Sequence, residues 1–339
     1  MFWAGECHLA RHLTMLMALC IYGGNALKDA LCSPRPDWSK GVRLVGTNEG
    51  DETSDADQEY GLASTHTINT IVLFSYLLHY HNIYGAGEGR WLITNLTGQY
   101  SNSLYFQLWT AALVLWCSFI MWGRLYLGMH SPIDIVGGVV VAVMLLFIYI
   151  PIEDFMDAWM REAMWTPVYQ SFFAVLLCWT YPKPLRPTPS FNYAVYFTGT
   201  AWGLIIGIWR RADFHSAEAS QAIRERRGPI FSLSCVTFVA LRFVVGLMVV
   251  LVLRAVAKEI AKVVVPLAMN LCKLKHSDHD KFYLELAEKE GGKLHFHKKE
   301  VWPEPEGYNI LTGIRLLTYA AVGWAVVEPA YQSFVWLGI

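Results

Sequence analysis

Three stretches of this 339-residue chain put reactive side chains where apolar sequence begins or ends. The first, "KDALCSPRP", carries Lys28 and then Arg35-Pro36 after six intervening residues. The second, "ASTHT", carries Ser64, Thr65 and His66, and the third, "GRLYLGMHSPID", carries Arg124, His130 and Asp134. Lys28, Arg35 and Arg124 beside two histidines call for an anion. A guanidinium offers a planar fork to phosphate oxygens, and an ammonium acts on them as a point charge. The second and third stretches also lead into expected helix N-termini, where free N–H groups and the positive dipole end favour a phosphate.

Hydrolysis of an alkyl phosphate needs a nucleophile at phosphorus and a proton for the departing alkoxide. His130 and Asp134 are four residues apart, so a carboxylate one helical turn along can hold the imidazole N–H and fix the tautomer. The other ring nitrogen is then available for covalent catalysis. His66 is the remaining titratable group, suited to protonate the leaving oxygen and later to activate water. No carboxylate pair, Gly-rich phosphate loop or metal-ligand cluster accompanies these residues, so metal-free, cofactor-free chemistry is expected. Each element alone has a structural explanation. Lys28 can snorkel at a helix end, Ser64 can cap a helix, and Ser131-Pro132-Ile133-Asp134 has the form of a capping box with Pro at the first helical position. Topology is what joins them.

Of the residues, 54% are hydrophobic, 14% aromatic and 16% charged, whereas soluble domains carry about a quarter charged residues. Apolar runs lie at about 9–27, 65–83, 104–122, 133–152, 164–181, 191–209, 229–253 and 309–327, most approaching the roughly 20 residues that cross a bilayer. Trp122, Tyr149, Trp179 and Trp209 stand near their ends, as interfacial aromatics do. The expected fold is all-α: a polytopic membrane helical bundle of about eight spans. If each run spans once, parity puts all three reactive stretches on one face, where unpaired charge is costly and marks a functional site.

The divisions expected are a catalytic membrane part over 1–152, further spans over 153–253, a charged segment over 254–308 and a C-terminal span with its tail over 309–339. In the third, "RAVAKEIAKVVVPLAMNLCKLK" reads either as an interfacial helix, with Lys258 and Lys262 on its polar side, or as a continuation of the preceding span. The acid-rich link 46–60, which includes Glu59, reads as a solvated lid-like loop without a calcium pattern. The seven cysteines form no CxxC pair and read as small buried hydrophobes. No nucleic-acid partner is expected.

Lys-x6-Arg-Pro, Ser-x-His and Arg-x5-His-x3-Asp, in this order, resemble the three-part signature of the type 2 phosphatidic acid phosphatase superfamily. Within it, "EYGLASTHT" and "GRLYLGMHSPIDIVGG" look most like sphingosine-1-phosphate phosphatases, including the plant and fungal long-chain-base phosphatases, and the terminal "LTGIRLLTYAAVGWAV" resembles plant members. The resemblance implies a lipid phosphate substrate and a phosphatase in the endoplasmic reticulum membrane, while the Arg210-Arg211 and Arg226-Arg227 pairs near span ends put 210–228 in the cytosol and the active site in the lumen. It implies His130 as the nucleophile that becomes phosphohistidine, Asp134 as its orienting partner and His66 as the general acid. Lys28, Arg35 and Arg124 would bind phosphate, aided by Ser64 and the backbone at Thr65. Departures from the family pattern are Ala63 for the usual Pro, Thr65 for a common Gly and Gly123 for a frequent Ser; relatives also place about two more spans ahead of the lysine motif. None removes a proton-transfer group. A phosphatidate or prenyl-diphosphate phosphatase of the same superfamily is the alternative, since the motifs read the phosphate and not the tail. A non-catalytic transporter or scaffold is opposed by the intact set of site residues.

Overall fold

The computed structural model describes residues 1–36, 59–84, 104–185, 187–228, 232–289 and 305–339. Most of the acidic link, 46–58, lies outside them, as does the sequon Asn95-Leu96-Thr97, an N-glycosylation acceptor pattern. The described chain is helical as expected: α1 (Cys7–Leu31), α2 (Thr65–Tyr84), α3 (Leu104–Tyr126), α4 (Pro132–Tyr149), α5 (Glu153–Glu162) and α6 (Thr166–Trp179). There follow α7 (Ser190–Arg210), α8 (Ala217–Arg227), α9 (Leu233–Leu271), α10 (His279–Lys289), α11 (Ile310–Val327) and α12 (Pro329–Leu337). The one sheet among the described residues is a parallel two-residue bridge between β1 (His276–Ser277) and β2 (Tyr308–Asn309).

Four helical segments among the described residues are long and apolar enough to cross a membrane: Gln107–Tyr126, Pro132–Glu162, Leu233–Leu271 and Ile310–Leu337. Their outward faces expose Leu115, Phe119, Val140, Phe147, Val244 and Leu251, as lipid contact requires. The runs corresponding to α1, α2 and α7 are more polar. Arg11, His12, Lys28 and Asp29 of α1 are all buried, and charged groups at membrane depth face a bundle interior where neighbours can satisfy them. The core around α1 is completed by Ile68, Val72 and Tyr76 of α2, Ala142 of α4, Met160 of α5 and Ile205 of α7.

α9 decides between the two readings of the segment after 253. It runs unbroken for 39 residues with Pro266 inside it, so this segment continues the span. At about 1.5 Å per residue it is longer than a hydrocarbon core of roughly 30 Å. The boundary expected at 253/254 falls within this helix.

The bundle has two polar ends. At one, Arg11 Nε donates to Asp157 Oδ1 at 2.6 Å, Arg161 Nε to Asp157 Oδ2 at 3.0 Å, and Arg11 Nη1 to the His215 carbonyl at 3.0 Å. His12 Nδ1 lies 2.8 Å from the Tyr149 hydroxyl. His8, His12 and Asp157 bring metal-ligand atom types within 4.8 Å of one another, but two guanidiniums already neutralise the carboxylate. This is an ion-pair knot that ties α1 to α5 and to the turn after α7. The links 153–163 and 210–228 therefore share the end opposite the reactive stretches, as parity predicts.

α7 and α11 pack backbone to backbone. A Cβ on Gly203 would fall 1.7 Å from the Ala320 carbonyl oxygen, and one on Gly323 would fall 2.0 Å from that of Thr200. Small residues permit such approach in membrane bundles. Gly203→Ala is expected to lower the thermal midpoint of the detergent-purified protein, by about 1–3 kcal/mol of overpacking or more. Gly23→Ala, where no atom lies within 4 Å of the added carbon, is expected to leave it unlowered or slightly raised, since alanine favours a helix interior over glycine.

Candidate active site

α1 delivers Lys28 in its last turn before Cys32 closes the helix in the left-handed conformation. The ammonium is 1% exposed, and a charge so buried requires a partner. Lys28 Nζ donates to Glu59 Oε2 at 2.9 Å and lies 3.5 Å from Thr65 Oγ1. The neighbouring Asp29 turns elsewhere, accepting from Tyr181 Oη at 2.9 Å and from Thr188 Oγ1 at 3.0 Å. That pins the link before α7 to the same end as Lys28.

Arg35 bridges two stretches that are remote in sequence. Its Nη1 donates to the Met129 carbonyl at 2.8 Å, Nε to the Glu59 carbonyl at 3.1 Å and Nη2 to Glu59 Oε2 at 3.2 Å. Glu59 thus corrects one expectation. Counted among the solvated acids of 46–60, it is half-buried and clamped between Lys28 and Arg35. The physical reason is the desolvated ammonium, which draws in the nearest flexible carboxylate. Burial would raise the Glu59 carboxyl, but Lys28 and Arg35 hold it below its usual 4.5.

The second stretch starts α2. Ser64 is fully buried, and its Oγ accepts from the Thr67 N–H at 3.4 Å, so the hydroxyl serves as the helix cap. Its own N–H donates to the Asp134 carbonyl at 3.1 Å, which joins the second stretch to the third. Thr65 is buried beside Lys28, while His66 is exposed on the first turn within electrostatic range of Arg124, Lys28 and His130.

The third stretch turns at Gly128, whose φ of 69° suits glycine. The capping box anticipated at Ser131 is present: Asp134 N–H donates to Ser131 Oγ at 3.3 Å and Ser131 N–H to Asp134 Oδ2 at 2.7 Å. The same Oδ2 faces His130 Nδ1 at 3.7 Å, beyond hydrogen-bond reach but close enough for a small rotation to close, as catalytic contacts often do only on binding. Gly61 leaves room for this carboxylate, since a Cβ there would lie 2.9 Å from Oδ2. Arg124 is half-buried, its Nη1 3.5 Å from Met129 Sδ, and its buried Nε has no hydrogen-bond partner among the described residues. That donor is available to an acceptor from outside.

All eight site residues expected from sequence therefore gather at one end of the bundle, with Ser64 Oγ also accepting the Thr67 N–H as a helix cap. Asp29 and Glu59 were missed as site neighbours. Asp29 had a signal, an acid beside Lys28 at the edge of an apolar run; Glu59 was hidden in a run of like residues.

Burial holds the His130 imidazole below its usual 6.5, and Arg35 and Lys28 add to this against the opposing pull of Asp134. The ring is thus neutral near pH 7, with a nitrogen lone pair to offer. In an NMR titration His130 is expected to protonate below pH 6.5. Asp134→Asn, which removes the favourable carboxylate, is expected to move that titration lower still.

Comparison with known proteins agrees with this geometry. Residues 9–155, which hold all three stretches, match the model of the PAP2 superfamily. The chain is 30% identical over 348 residues to lipid phosphate phosphatase delta of Arabidopsis thaliana, covering 99% of this chain and 78% of the relative. It is 25% identical to a dihydrosphingosine 1-phosphate phosphatase of Schizosaccharomyces pombe over 98% of this chain and 78% of the relative. It is also 25% identical to sphingosine-1-phosphate phosphatase 2 of Mus musculus, over 76% and 67% respectively. No solved structure matches it significantly. With the family's model lying across the segments that meet at Lys28, Arg35 and His130, the chain belongs to the PAP2 superfamily and is a phosphatase, a phosphoric monoester hydrolase of the membrane.

Proposed function

We propose that this protein hydrolyses long-chain-base phosphates, such as sphingosine-1-phosphate or dihydrosphingosine-1-phosphate, through a phosphohistidine. The observation that carries the reading is the Arg35 bond to the Met129 carbonyl, which sets a phosphate-binding guanidinium beside the backbone of His130. Lys28, Arg35 and Arg124 take the phosphate oxygens, with the Thr65 backbone at the α2 N-terminus. His130 Nε2 attacks phosphorus while Nδ1–H turns to Asp134. A P–N bond forms, the P–O bond to the lipid breaks, and His66 passes a proton to the departing alkoxide. Water then attacks phosphohistidine, His66 takes its proton, and His130 is restored with release of inorganic phosphate. No step uses a metal. The long-chain-base preference is supported by similarity to the fungal dihydrosphingosine 1-phosphate phosphatase and the mouse sphingosine-1-phosphate phosphatase 2 and by the flanking "EYG" and "MHSPID".

The same reading takes the bundle as about eight spans in the endoplasmic reticulum membrane. The Arg210-Arg211 and Arg226-Arg227 pairs lie at the end away from His130, and basic residues at span ends favour the cytosol. The catalytic end then faces the lumen. Asn95, in the one sequon between spans, would face the cytosol and stay unglycosylated.

Two measurements test this. With radiolabelled substrate in excess chelator, His130→Ala is expected to abolish both turnover and acid-labile phosphate capture. His66→Ala is expected to lose about 10² to 10⁴ in rate on an alkyl phosphate while still being phosphorylated by a substrate with a good leaving group; full activity in His130→Ala would end the mechanism. Separately, glycosidase treatment of protein expressed in eukaryotic cells is expected to leave the mass at Asn95 unchanged, and a mass shift there would reverse the orientation.

A further inference from the structure

A carboxylate inside a phosphate site poses a physical problem. Glu59 Oε2 is 2.9 Å from Lys28 Nζ and 3.2 Å from Arg35 Nη2, the cations assigned above to the substrate phosphate. It is held there by its backbone, whose carbonyl accepts from Arg35 Nε, and by the Gly61 N–H bond to the Ser33 carbonyl at 2.9 Å. A phosphate dianion that takes over these two cations comes up against the carboxylate as a like charge. A site for phosphate alone would work better with an amide or a hydroxyl at this position.

The conflict is removed by a substrate that brings its own cation. In a long-chain-base phosphate the carbon next to the phosphate-bearing carbon carries an ammonium group. With phosphate on Lys28 and Arg35, that ammonium falls a few bonds from phosphorus, where the displaced carboxylate stands, and the charges alternate. Phosphatidate has a neutral ester oxygen at the corresponding carbon. The other two acids of this end among the described residues are engaged differently. Asp29 accepts from Tyr181 and Thr188, and Asp134 Oδ2 accepts from the Ser131 N–H; neither gives up its partner when phosphate arrives. Glu59 alone of the three is bonded through the groups that phosphate claims, and no donor contacts its Oε1 among the described residues.

We infer that Glu59 is the ammonium-binding residue of this site: it exchanges Lys28 and Arg35 for the ammonium of a 2-amino lipid phosphate, and so selects such lipids over amine-free ones. This rests on the phosphatase reading of the site given above. Before substrate arrives, the same carboxylate neutralises the buried Lys28.

The test uses the purified full chain in detergent micelles with two substrates of one skeleton, dihydrosphingosine-1-phosphate and its N-acetyl derivative, which keeps the chain and phosphate but not the positive charge. Wild type is expected to favour the free amine by about tenfold or more in kcat/KM, the scale of a charge-assisted hydrogen bond. Glu59→Gln is expected to lose about 10- to 100-fold on the free amine, chiefly through KM, and to gain on the N-acetyl lipid, so that the ratio falls toward one. Glu59→Asp is expected to retain part of the preference. An equal loss on both lipids in Glu59→Gln, with the ratio kept, would make Glu59 a clamp for Lys28 and Arg35 and overturn the inference. Hydrolysis of both lipids by wild type without preference overturns it without any variant, while leaving the phosphatase reading intact. Hydrolysis of neither lipid removes the underlying reading and this inference with it.

Discussion

A buried ammonium at the end of a helix organises this protein. Lys28 is out of water, and the cost of leaving it unpaired is several kcal/mol, so something must come to it. Glu59 does, and Arg35 shares the same oxygen. Because Arg35 also holds the Met129 carbonyl, the chain before α2 and the hairpin after α3 are drawn to the end of α1. One desolvated charge thus brings three segments of sequence into register.

The two ends are bonded differently. Away from the site, Asp157 has a guanidinium on each oxygen and Arg11 reaches on to the His215 carbonyl. At the catalytic end, Arg124 Nε is buried without a partner among the described residues, His130 stands 3.7 Å from Asp134, and His66 is exposed. Unmade contacts at a site tighten when a ligand supplies the missing charge. The ion-pair knot and the close α7–α11 packing keep the frame rigid while that happens.

Asp134 illustrates how one residue answers two demands. Its Oδ2 accepts the Ser131 N–H that starts α4 and faces the His130 ring from the same position. Helix capping therefore orients the nucleophile's partner without a separate scaffold. Its backbone carbonyl accepts from Ser64, so the start of α2 is keyed to the start of α4, and His66 is placed relative to His130 through main-chain bonds.

Much of this was legible in the sequence. Long apolar runs dictate helices because backbone groups in lipid must bond within their own segment, and parity then puts the three reactive stretches on one face. The capping box at Ser131 is local chemistry, so it could be read from four consecutive residues. What sequence could not decide is which polar group satisfies which. Glu59 looked like one acid in a solvated run, and only the fold shows that Lys28, 31 positions away, removes it from water. The fate of residues 254–271 was equally open, since an apolar stripe with lysines fits an interfacial helix as well as a prolonged span. The structure shows one helix that runs past Pro266 to Leu271, although proline's missing N–H removes one bond from its ladder. Local pattern specifies elements and caps; the pairing of buried charges is a property of distance in space, which no spacing in the chain records.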